Sequence, residues 1–590
     1  MEAKEWRYAG EGGKHALFSH CSDKDRSDWN GRLLRLDKKY LRLAAATWKE
    51  DGLPGNSQLT EGSFTTKQTL LQSDLFFLQH IIKRQFDRYL DLPESISLPW
   101  KFVKELRDQT LSTQPCPIPE ARRKDWLCHH TKKHGQSAAK EGTPIGCLIP
   151  DYCRPKQPSM PFISVEIKPK AGYLASSPLV DPRHTAKFYR SRFVLLQTLD
   201  RLGYSDQVPR GWKQESGAVS KEEKYSSYNP LDLFSCDLSR IQRAFEALWD
   251  TPQNNFKLWG CNPWHQQNPV LVVADQHYRQ TEPDATTSSH QALWQDLFGF
   301  ASSAAGDDDD IDMCVVKPML VDMLSSILHA ESSFVEKLQQ WQLLDLLDAD
   351  GAILVYDRLV ELCQGSHPEA QELLDALSID AVAQAGGTAK TREEVLRGSP
   401  ILLIPSTGAG PAFSTLCNEI RRFSDALRRI QEEAGAPNND DKLLEFLQKE
   451  HPRSRAICLK LISQMESKEA CCYLLQNWLL SLVVCDVSFF VTLQRMPPKG
   501  RTPGSSKGEK VCIVQKQSES SPGILEVCMP LSSNQRTDND VGGLVLVALF
   551  QYEVKLIDCD QKPSKKLQSR GQKERVFQHL QGSEWENWVN

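Results

Sequence analysis

The run 165–170 combines residue types that could bind a highly charged ligand. It carries one carboxylate, Glu166, and two ammonium groups, Lys168 and Lys170. On an extended strand successive side chains point to opposite faces, so we expect Glu166 and Lys168 to face away from the core. Pro169 cannot donate a ladder hydrogen bond, so the strand should end there or lie at a sheet edge. Such a row of charges suits an anionic ligand; the alternative is a solvated edge with a surface ion pair, because such pairs are common and weak.

Carboxylates towards the end of the sequence could bind a divalent cation. Residues 549–559 are predicted to form a strand, on which Asp558 and Asp560 would share a face with Lys562. Mg²⁺ usually takes one or two carboxylates together with phosphate oxygens, so both are candidate ligands. A capped strand end is the alternative.

Asp486 is a candidate general base. It lies in a run of Val and Phe residues, within a predicted strand at 483–490 that follows a predicted helix at 471–480. We therefore expect its carboxylate to be partly buried, where a carboxylate without a partner is costly and is a candidate for proton transfer. The alternative is an aspartate that binds backbone amides at a helix–strand junction.

A glycine-rich turn near the N-terminus could hold phosphate groups. Gly10, Gly12 and Gly13 lie between two strand-like segments, and Arg35 lies on a third. Glycine lacks a Cβ, so its backbone amides can approach phosphate closely. Phosphoryl transfer needs such a cradle, a Mg²⁺ carboxylate, positive charge on the acceptor side and a group near the attacking hydroxyl. A plain turn and an exposed arginine are the alternatives.

Composition and charge argue against several classes of protein. The chain has 590 residues, more than one simple core usually holds, so two or more lobes are expected. A net charge of −5 and a pI near 6.3 argue against nucleic-acid binding. The N-terminus shows no apolar signal segment and the apolar runs are too short to span a bilayer. We therefore expect an intracellular protein, in the cytoplasm, the nucleus or both, without membrane insertion.

The remaining pattern alternates helices with loops. Residues 71–86 carry apolar side chains at helical spacing, and 315–347 and 352–363 are predicted helices joined around 348–351. Flexible insertions are predicted near 301–312, 386–410 and 494–540. One group of zinc-type side chains has a spacing that fits no standard finger, and uncoordinated side chains are the alternative. The group comprises Cys128, His129, His130, His134, Cys147 and Cys153.

The segment Glu166-Ile167-Lys168-Pro169-Lys170-Ala171-Gly172-Tyr173 resembles the signature of the inositol-pentakisphosphate 2-kinase family. Further segments resemble family segments in the same order along the chain: 6–13, 230–235, 252–257, 485–488 and 557–563, with looser similarity at 98–103 and 343–352. The shared order of these islands argues against chance agreement.

The resemblance implies a two-lobed α+β fold of the inositol-phosphate-kinase type. A smaller N-lobe at 1–155 and a larger C-lobe at 156–590 would enclose ATP in the cleft between them. The implied reaction transfers the γ-phosphate of ATP to the 2-hydroxyl of inositol 1,3,4,5,6-pentakisphosphate and gives inositol hexakisphosphate (phytate). Mg²⁺ would be required, and a monomer is expected.

The resemblance also implies a role for each matched residue. Asp486 would accept the proton of the 2-hydroxyl. Binding of the ATP phosphates falls to Gly10, Gly12, Gly13, Arg35 and Lys257, and binding of the ribose to Glu166. Binding of the inositol phosphate falls to Lys168, Lys170, Asn254, Asn255, Lys562 and Lys566. Mg²⁺ would be held by Asp558, helped by Asp560.

Three positions depart from the family pattern. His15 stands where the family usually has Asn, Cys485 where it usually has Lys, and Arg570 where it can have Tyr. Changes at His15 and Cys485 could weaken ATP positioning. They motivate an alternative function, a catalytically impaired scaffold that binds inositol phosphates.

Overall fold

The computed structural model describes most of the chain, in separate segments. The described residues are 2–11, 15–20, 29, 31–46, 78–118, 123, 126, 143–154, 160–202, 204, 225–262, 270–273, 293–294, 296–298, 313–374, 410–433, 439–496, 513–516, 523–530 and 544–559.

Contacts within the chain divide it into two units. The sheet unit comprises Met1–Ile167, Phe256–Met319 and Phe489–Leu556. The helical unit comprises Lys168–Asn255, Leu320–Ser488 and Ile557–Asn590. The chain therefore passes from the sheet unit to the helical unit directly after Ile167. The lobe boundary at 155 and 156 stays a prediction.

The first sheet has the strand order β1-β2-β3-β5-β4. Its antiparallel strands are β1 (Trp6–Glu11), β2 (His15–His20), β3 (Arg32–Asp37), β4 (Glu94–Ser97) and β5 (Ile145–Pro150). Phe18 and Leu34 on this sheet are buried with Phe102 and Leu106 of the helix Trp100–Ser112. The two predicted strands at the N-terminus and the strand at 33–36 are confirmed. Gly10 lies on β1 itself, and residues 12–14 of the predicted turn lie outside the described residues.

The second sheet also lies in the sheet unit and has the order β10-β11-β12-β9-β6-β7-β8. Its strands are β6 (Phe162–Ile167), β7 (Phe256–Cys261), β8 (Val270–Val273), β9 (Ser488–Arg495), β10 (Ile513–Lys516), β11 (Gly523–Pro530) and β12 (Leu544–Ile557). The predicted strand at 549–559 is confirmed in its position. Two strands, β10 and β11, lie within the stretch 494–540 that was predicted to be a flexible insertion.

Strand β6 is central rather than peripheral. It pairs antiparallel with both β7 and β9, and all six of its residues are buried. The expected exposure of one face, and the alternative of a solvated edge, are therefore wrong, because both faces of this strand are covered. The strand ends at Ile167, as Pro169 predicted.

Twelve α-helices are numbered in the described residues. They are α1 (Lys38–Ala46), α2 (Lys83–Gln85), α3 (Trp100–Ser112), α4 (Arg192–Arg201), α5 (Pro230–Leu233), α6 (Leu238–Asp250), α7 (Met313–Ala330), α8 (Ser332–Gln342), α9 (Asp348–Leu362), α10 (Gly410–Glu433), α11 (Asn439–Ser463) and α12 (Lys468–Cys485). Short turns lie at Ala3–Glu5, Leu78–Ile82, Asp87–Tyr89 and Pro182–Phe188. Helices accompany two sheets, so the predicted α+β class is confirmed.

Two predicted boundaries of helices are wrong. Helix α12 runs to Cys485, so residues 483–485 are helical rather than strand; an apolar run buried on every side has no period that separates the two. Helix α9 begins at Asp348, where a joint was predicted. The Asp348 carboxylate Oδ1 accepts a hydrogen bond from the Asp350 N–H at 3.2 Å within the first turn of this helix.

Among the described helices, none combines the length and the apolar character that crossing a bilayer requires.

Candidate active site

Glu166 and Lys257 form a buried ion pair on the second sheet. The two residues are directly opposite each other on β6 and β7, and Lys257 Nζ lies 3.2 Å from Glu166 Oε2. The Lys257 side chain is only 17% exposed and the Glu166 side chain only 10%. A buried pair of this kind is costly to break, because the remaining charge would be left without a partner. The predicted nucleotide-binding residues Glu166 and Lys257 are therefore joined in one ion pair.

The residues that follow β5 pack close to this ion pair. The Tyr152 ring lies 5.6 Å from the ring of Phe490, the residue opposite Glu166 on β9. Burial raises the pKa of the Cys153 thiol well above its ordinary value, and the nearby carboxylates of Asp151 and Glu166 add to the rise. This thiol is therefore a neutral neighbour of the Glu166–Lys257 pair.

The first sheet carries the residues expected to hold phosphate groups. Gly10 has a φ of 153°, and the register of β1 against β2 shifts between Tyr8 and Gly10. A Cβ at Gly10 would meet no atom within 4 Å, so glycine is favoured here by backbone conformation rather than by space. On β3, Arg35 Nη2 donates to His15 Nδ1 on β2 at 2.8 Å. His15, which stands where the family usually has Asn, thus gives Arg35 a hydrogen-bond acceptor that restricts the position of the Arg35 side chain.

Lys168 and Lys170 lie on the loop that leaves β6, in the helical unit. The Lys168 N–H donates to the Asn255 carbonyl at 2.8 Å, which joins this loop to the turn before β7. Asn254 is exposed, whereas Asn255 is buried and its Oδ1 has no hydrogen-bond partner among the described residues. Lys170 adopts a left-handed backbone conformation, with φ of 61°. The backbones of Lys168 and Asn255 are therefore adjacent, and their role in binding the acceptor stays a prediction.

Asp558 bonds a buried serine that lies two residues after Asp486 in the sequence. Asp486 follows α12 and precedes Ser488, whose hydroxyl donates to Asp558 Oδ2 at 3.5 Å. Asp486 is exposed, so the prediction of partial burial is wrong; the residue caps the C-terminus of α12 instead of continuing the apolar run. Its carboxylate is thereby accessible to a ligand.

The predicted strand at 549–559 ends before Asp558. Strand β12 ends at Ile557, and Asp558 is exposed with a left-handed φ of 60°. Asp558 therefore does not occupy the position on a strand face that alternation of side chains predicts. Five predicted site residues lie outside the described residues: Gly12, Gly13, Asp560, Lys562 and Lys566.

Three strands of the second sheet end side by side. Ile167, at the end of β6, pairs with Phe256 of β7 and with Phe489 of β9. Lys168 follows Ile167 along the chain, whereas Asn255 and Ser488 precede Phe256 and Phe489, and all three belong to the helical unit. The boundary between the two units therefore falls at the same level on all three strands.

The carboxylates present fit a Mg²⁺ ion that also binds phosphate oxygens. Asp486 and Asp558 are both exposed and flank one serine, and Mg²⁺ needs only one or two protein carboxylates when a nucleotide supplies the rest. Within the described residues, no group of three or more His, Cys, Asp or Glu side chains forms a complete protein cage for a metal. Of the zinc-type residues, Cys128, His129, His130 and His134 lie outside that part of the chain.

Comparison with known proteins identifies the family. A sequence model of the family described as inositol-pentakisphosphate 2-kinase matches residues 8–576 of this chain. The chain belongs to the inositol-pentakisphosphate 2-kinase family. The resemblance seen in the sequence is therefore confirmed across nearly the whole chain.

Curated relatives named inositol-pentakisphosphate 2-kinase share limited identity with the chain. The Arabidopsis thaliana relative is 31% identical to this chain over 223 residues, which cover 37% of this chain and 42% of the relative. The Danio rerio relative is 26% identical over 401 residues, which cover 61% of this chain and 70% of the relative. A relative from Oryza sativa subsp. indica, named inositol-pentakisphosphate 2-kinase IPK1, is 34% identical over 127 residues, 21% of this chain and 24% of the relative. The chain thus spans less than half of either plant relative.

In this member of the inositol-pentakisphosphate 2-kinase family, several residues that contact the candidate site residues could not be identified from the sequence. Ser488, which bonds Asp558, stands in the matched segment 485–488, but nothing in the sequence identifies its partner. Gln342 and Tyr228 bond the backbone of the Lys168–Lys170 loop from distant positions in the chain. A buried glutamine on an amphipathic helix has no sequence signal that separates it from an exposed one.

Proposed function

We propose that this protein transfers the γ-phosphate of ATP to the 2-hydroxyl of inositol 1,3,4,5,6-pentakisphosphate. The bond from the 2-oxygen to the γ-phosphorus forms while the bond from that phosphorus to the β,γ-bridging oxygen breaks. ADP leaves, and the proton of the 2-hydroxyl goes to the Asp486 carboxylate. The product is inositol hexakisphosphate.

The observation that carries this proposal is the bond from Ser488, two residues after Asp486, to Asp558. Ser488 follows Asp486 by two residues, and its buried hydroxyl bonds the Asp558 carboxylate. Phosphoryl transfer needs one group beside the attacking hydroxyl and a carboxylate for the metal that binds the transferred phosphate. Asp486 would serve as the first and Asp558, helped by Asp560, as the second; the Mg²⁺ supplies charge neutralisation on the phosphates.

We propose that the lysines that follow the end of β6 bind the inositol phosphate, which accepts the phosphoryl group. Five phosphates need several positive charges, and the chain as a whole carries a net charge of −5. Lys168 and Lys170 would supply a local concentration of charge, with Asn254 and Asn255 as neutral hydrogen-bonding partners. Lys562 and Lys566 follow Asp558 in the sequence and would add to it.

We propose that residues of the sheet unit bind ATP. Arg35, held by His15, would bind the ATP phosphates together with the backbone of Gly10, Gly12 and Gly13. Glu166 would accept hydrogen bonds from the ribose hydroxyls, and Lys257 would be shared between Glu166 and a phosphate. Catalysis would then depend mainly on positioning and on charge neutralisation.

Asp486→Asn tests the proposed base. We expect turnover to fall by about 100-fold to 10⁴-fold, the usual contribution of general acid–base catalysis, while the dissociation constant for inositol pentakisphosphate changes little. Initial rates with Mg-ATP and calorimetric titration would measure the two quantities. Asp425→Asn, an exposed carboxylate on α10, is the matched control and should behave like the wild type. Turnover of Asp486→Asn within threefold of the wild type would remove Asp486 from this role.

Lys168→Ala tests the assigned acceptor side. Because Lys168 would bind the inositol phosphate rather than ATP, we expect the KM for inositol pentakisphosphate to rise by about tenfold or more, as loss of a charged hydrogen bond implies. The KM for ATP should stay within twofold. Lys442→Ala, an exposed lysine on α11, is the control. Equal increases in both KM values would contradict the assignment.

A further inference from the structure

We propose that Gln342 is the positioning residue for the acceptor lysines. It would hold the backbone of the acceptor loop, residues 168–173, so that the ammonium groups of Lys168 and Lys170 are fixed for the inositol phosphates. This inference rests on the proposed function, because it assigns a role within the same acceptor site.

Gln342 bonds the acceptor loop at two points. Its Nε2 donates to the Lys170 carbonyl at 2.9 Å, and its Oε1 accepts from the Gly172 N–H at 2.8 Å. The side chain is fully buried at the end of α8. Both halves of the amide are therefore used, and any rotation would leave buried polar groups without partners, which is costly.

The backbone that Gln342 holds is not one that lysine adopts readily. Lys170 has φ of 61°, a conformation that is unfavourable for a residue with a Cβ. Such conformations persist where the surroundings over-determine them, and they cluster at functional sites. Gln339, one turn earlier on α8, adds a bond from its Nε2 to the Gly172 carbonyl at 2.7 Å.

Hydrogen bonds of two tyrosines hold the acceptor loop on either side of the contacts that Gln342 makes. Tyr228 is buried and its hydroxyl donates to the Pro169 carbonyl at 2.7 Å. The Tyr173 hydroxyl donates to Asp345 Oδ2 at 2.9 Å, and Asp345 Oδ1 accepts from the Asp348 N–H at 2.7 Å. The segment 343–352, whose family resemblance had no assigned role, thus continues the same support beyond Gln342.

A fixed backbone matters for binding a polyanion with lysines. A lysine side chain is flexible and loses rotamer entropy when it is fixed, so a mobile loop would add a further ordering cost. Binding strengthens when the site is held in the bound conformation beforehand. Loss of Gln342 should therefore weaken inositol phosphate binding specifically.

The test compares Gln342→Met and Gln342→Glu with the wild type. Methionine keeps the length of the side chain but makes neither hydrogen bond, so we expect the KM for inositol pentakisphosphate to rise at least tenfold. The KM for ATP should remain within twofold, whereas a merely structural role would change both values alike. Gln448→Met, an exposed residue on α11, is the control and should leave both values unchanged.

The pH dependence of Gln342→Glu gives a readout that loss of packing would not change. A protonated carboxyl group can donate to the Lys170 carbonyl and accept from the Gly172 N–H, whereas a carboxylate can only accept. The KM of this variant, divided by that of the wild type, should therefore rise as the pH increases from 6 to 9. The corresponding ratio for Gln342→Met should not change with pH.

Tyr228→Phe keeps the inference testable if the Gln342 variants fail to fold. It removes one hydroxyl and its bond to Pro169 but keeps the ring, so the KM for inositol pentakisphosphate should rise about threefold to tenfold with the KM for ATP unchanged. A KM for inositol pentakisphosphate within twofold of the wild type in every folded variant would overturn the role of Gln342. Absence of turnover in the wild type would instead refute the proposed function, and calorimetric binding of inositol pentakisphosphate to the same variants would then decide the inference separately.

Discussion

At the scale of single residues, the Glu166–Lys257 pair shows how burial changes the contribution that an ion pair makes to stability. The sequence suggested either an exposed anion site or a surface ion pair, and surface pairs contribute little to stability. In the structure the pair is buried between neighbouring strands, with Phe490 opposite Glu166 on the other side. Each charge is therefore retained only because the other is present.

A double-mutant cycle measures this dependence. Lys257→Met leaves Glu166 buried without its partner, so we expect the free energy of unfolding to fall by about 3–5 kcal/mol. The double variant Glu166→Gln with Lys257→Met should recover most of that loss, because neither position is then charged. Urea denaturation of the two single variants and of the double variant would give the coupling energy. Additive losses would show that the two charges are independent.

At the scale of elements, the acceptor loop is fixed by tight packing as well as by hydrogen bonds. A Cβ at Gly172 would lie 2.0 Å from Cδ2 of Phe234, and the Phe234 ring is itself buried. Glycine is therefore required here by close approach and not by turn formation. The segment that resembles the family signature thus contains one residue that packs closely and two lysines that we propose bind the acceptor.

Gly172→Ala should destabilise the helical unit through this contact. Overpacking of a well-filled core typically costs about 1–3 kcal/mol, and the affected loop carries both acceptor lysines. We expect a lower unfolding temperature together with a raised KM for inositol pentakisphosphate. Phe234→Leu in the same chain should relieve the clash and partly restore both quantities. If the second substitution makes both quantities worse, the contact is not the cause.

Helix α11 carries a histidine whose burial links stability to pH. His451 Nε2 lies 3.0 Å from the Val180 carbonyl, and its ring lies 5.3 Å from that of Phe188. Burial lowers the pKa of His451 below 6.5, with Arg455 contributing in the same direction, while the carbonyls of Val180 and Pro178 and the carboxylate of Asp181 oppose the shift. The unfolded chain therefore binds a proton more readily than the folded chain.

The contribution of His451 to stability should be present above pH 6.5 and should be lost as the pH falls through the lowered pKa of the folded state. Each unit of depression corresponds to about 1.4 kcal/mol. We expect the unfolding temperature of the wild type to drop more between pH 7.5 and 5.5 than that of His451→Gln. Calorimetry at several pH values would measure the difference. Parallel curves for the two proteins would exclude His451 as a source of the pH dependence.

At the scale of the whole molecule, local signals in the sequence were reliable and distant partners were not. The strand pair around Gly10 and the end of β6 before Pro169 depend on neighbouring residues, and both were predicted correctly. The partner of Glu166 lies 91 residues away and the Gln342 contacts lie 170 and 172 residues away, so no local pattern could reveal them. Asp486 was predicted to be buried for the same reason, because its exposure depends on where α12 ends.

Product identification is the most direct test of the central claim that this chain phosphorylates one hydroxyl of an inositol pentakisphosphate. Purified protein would be incubated with Mg-ATP and inositol 1,3,4,5,6-pentakisphosphate, and the product would be examined by phosphorus NMR. We predict inositol hexakisphosphate, with the new phosphate at position 2 and one ADP formed for each product molecule. Binding of the substrate without formation of hexakisphosphate, or a phosphate added at any other site, would contradict the account.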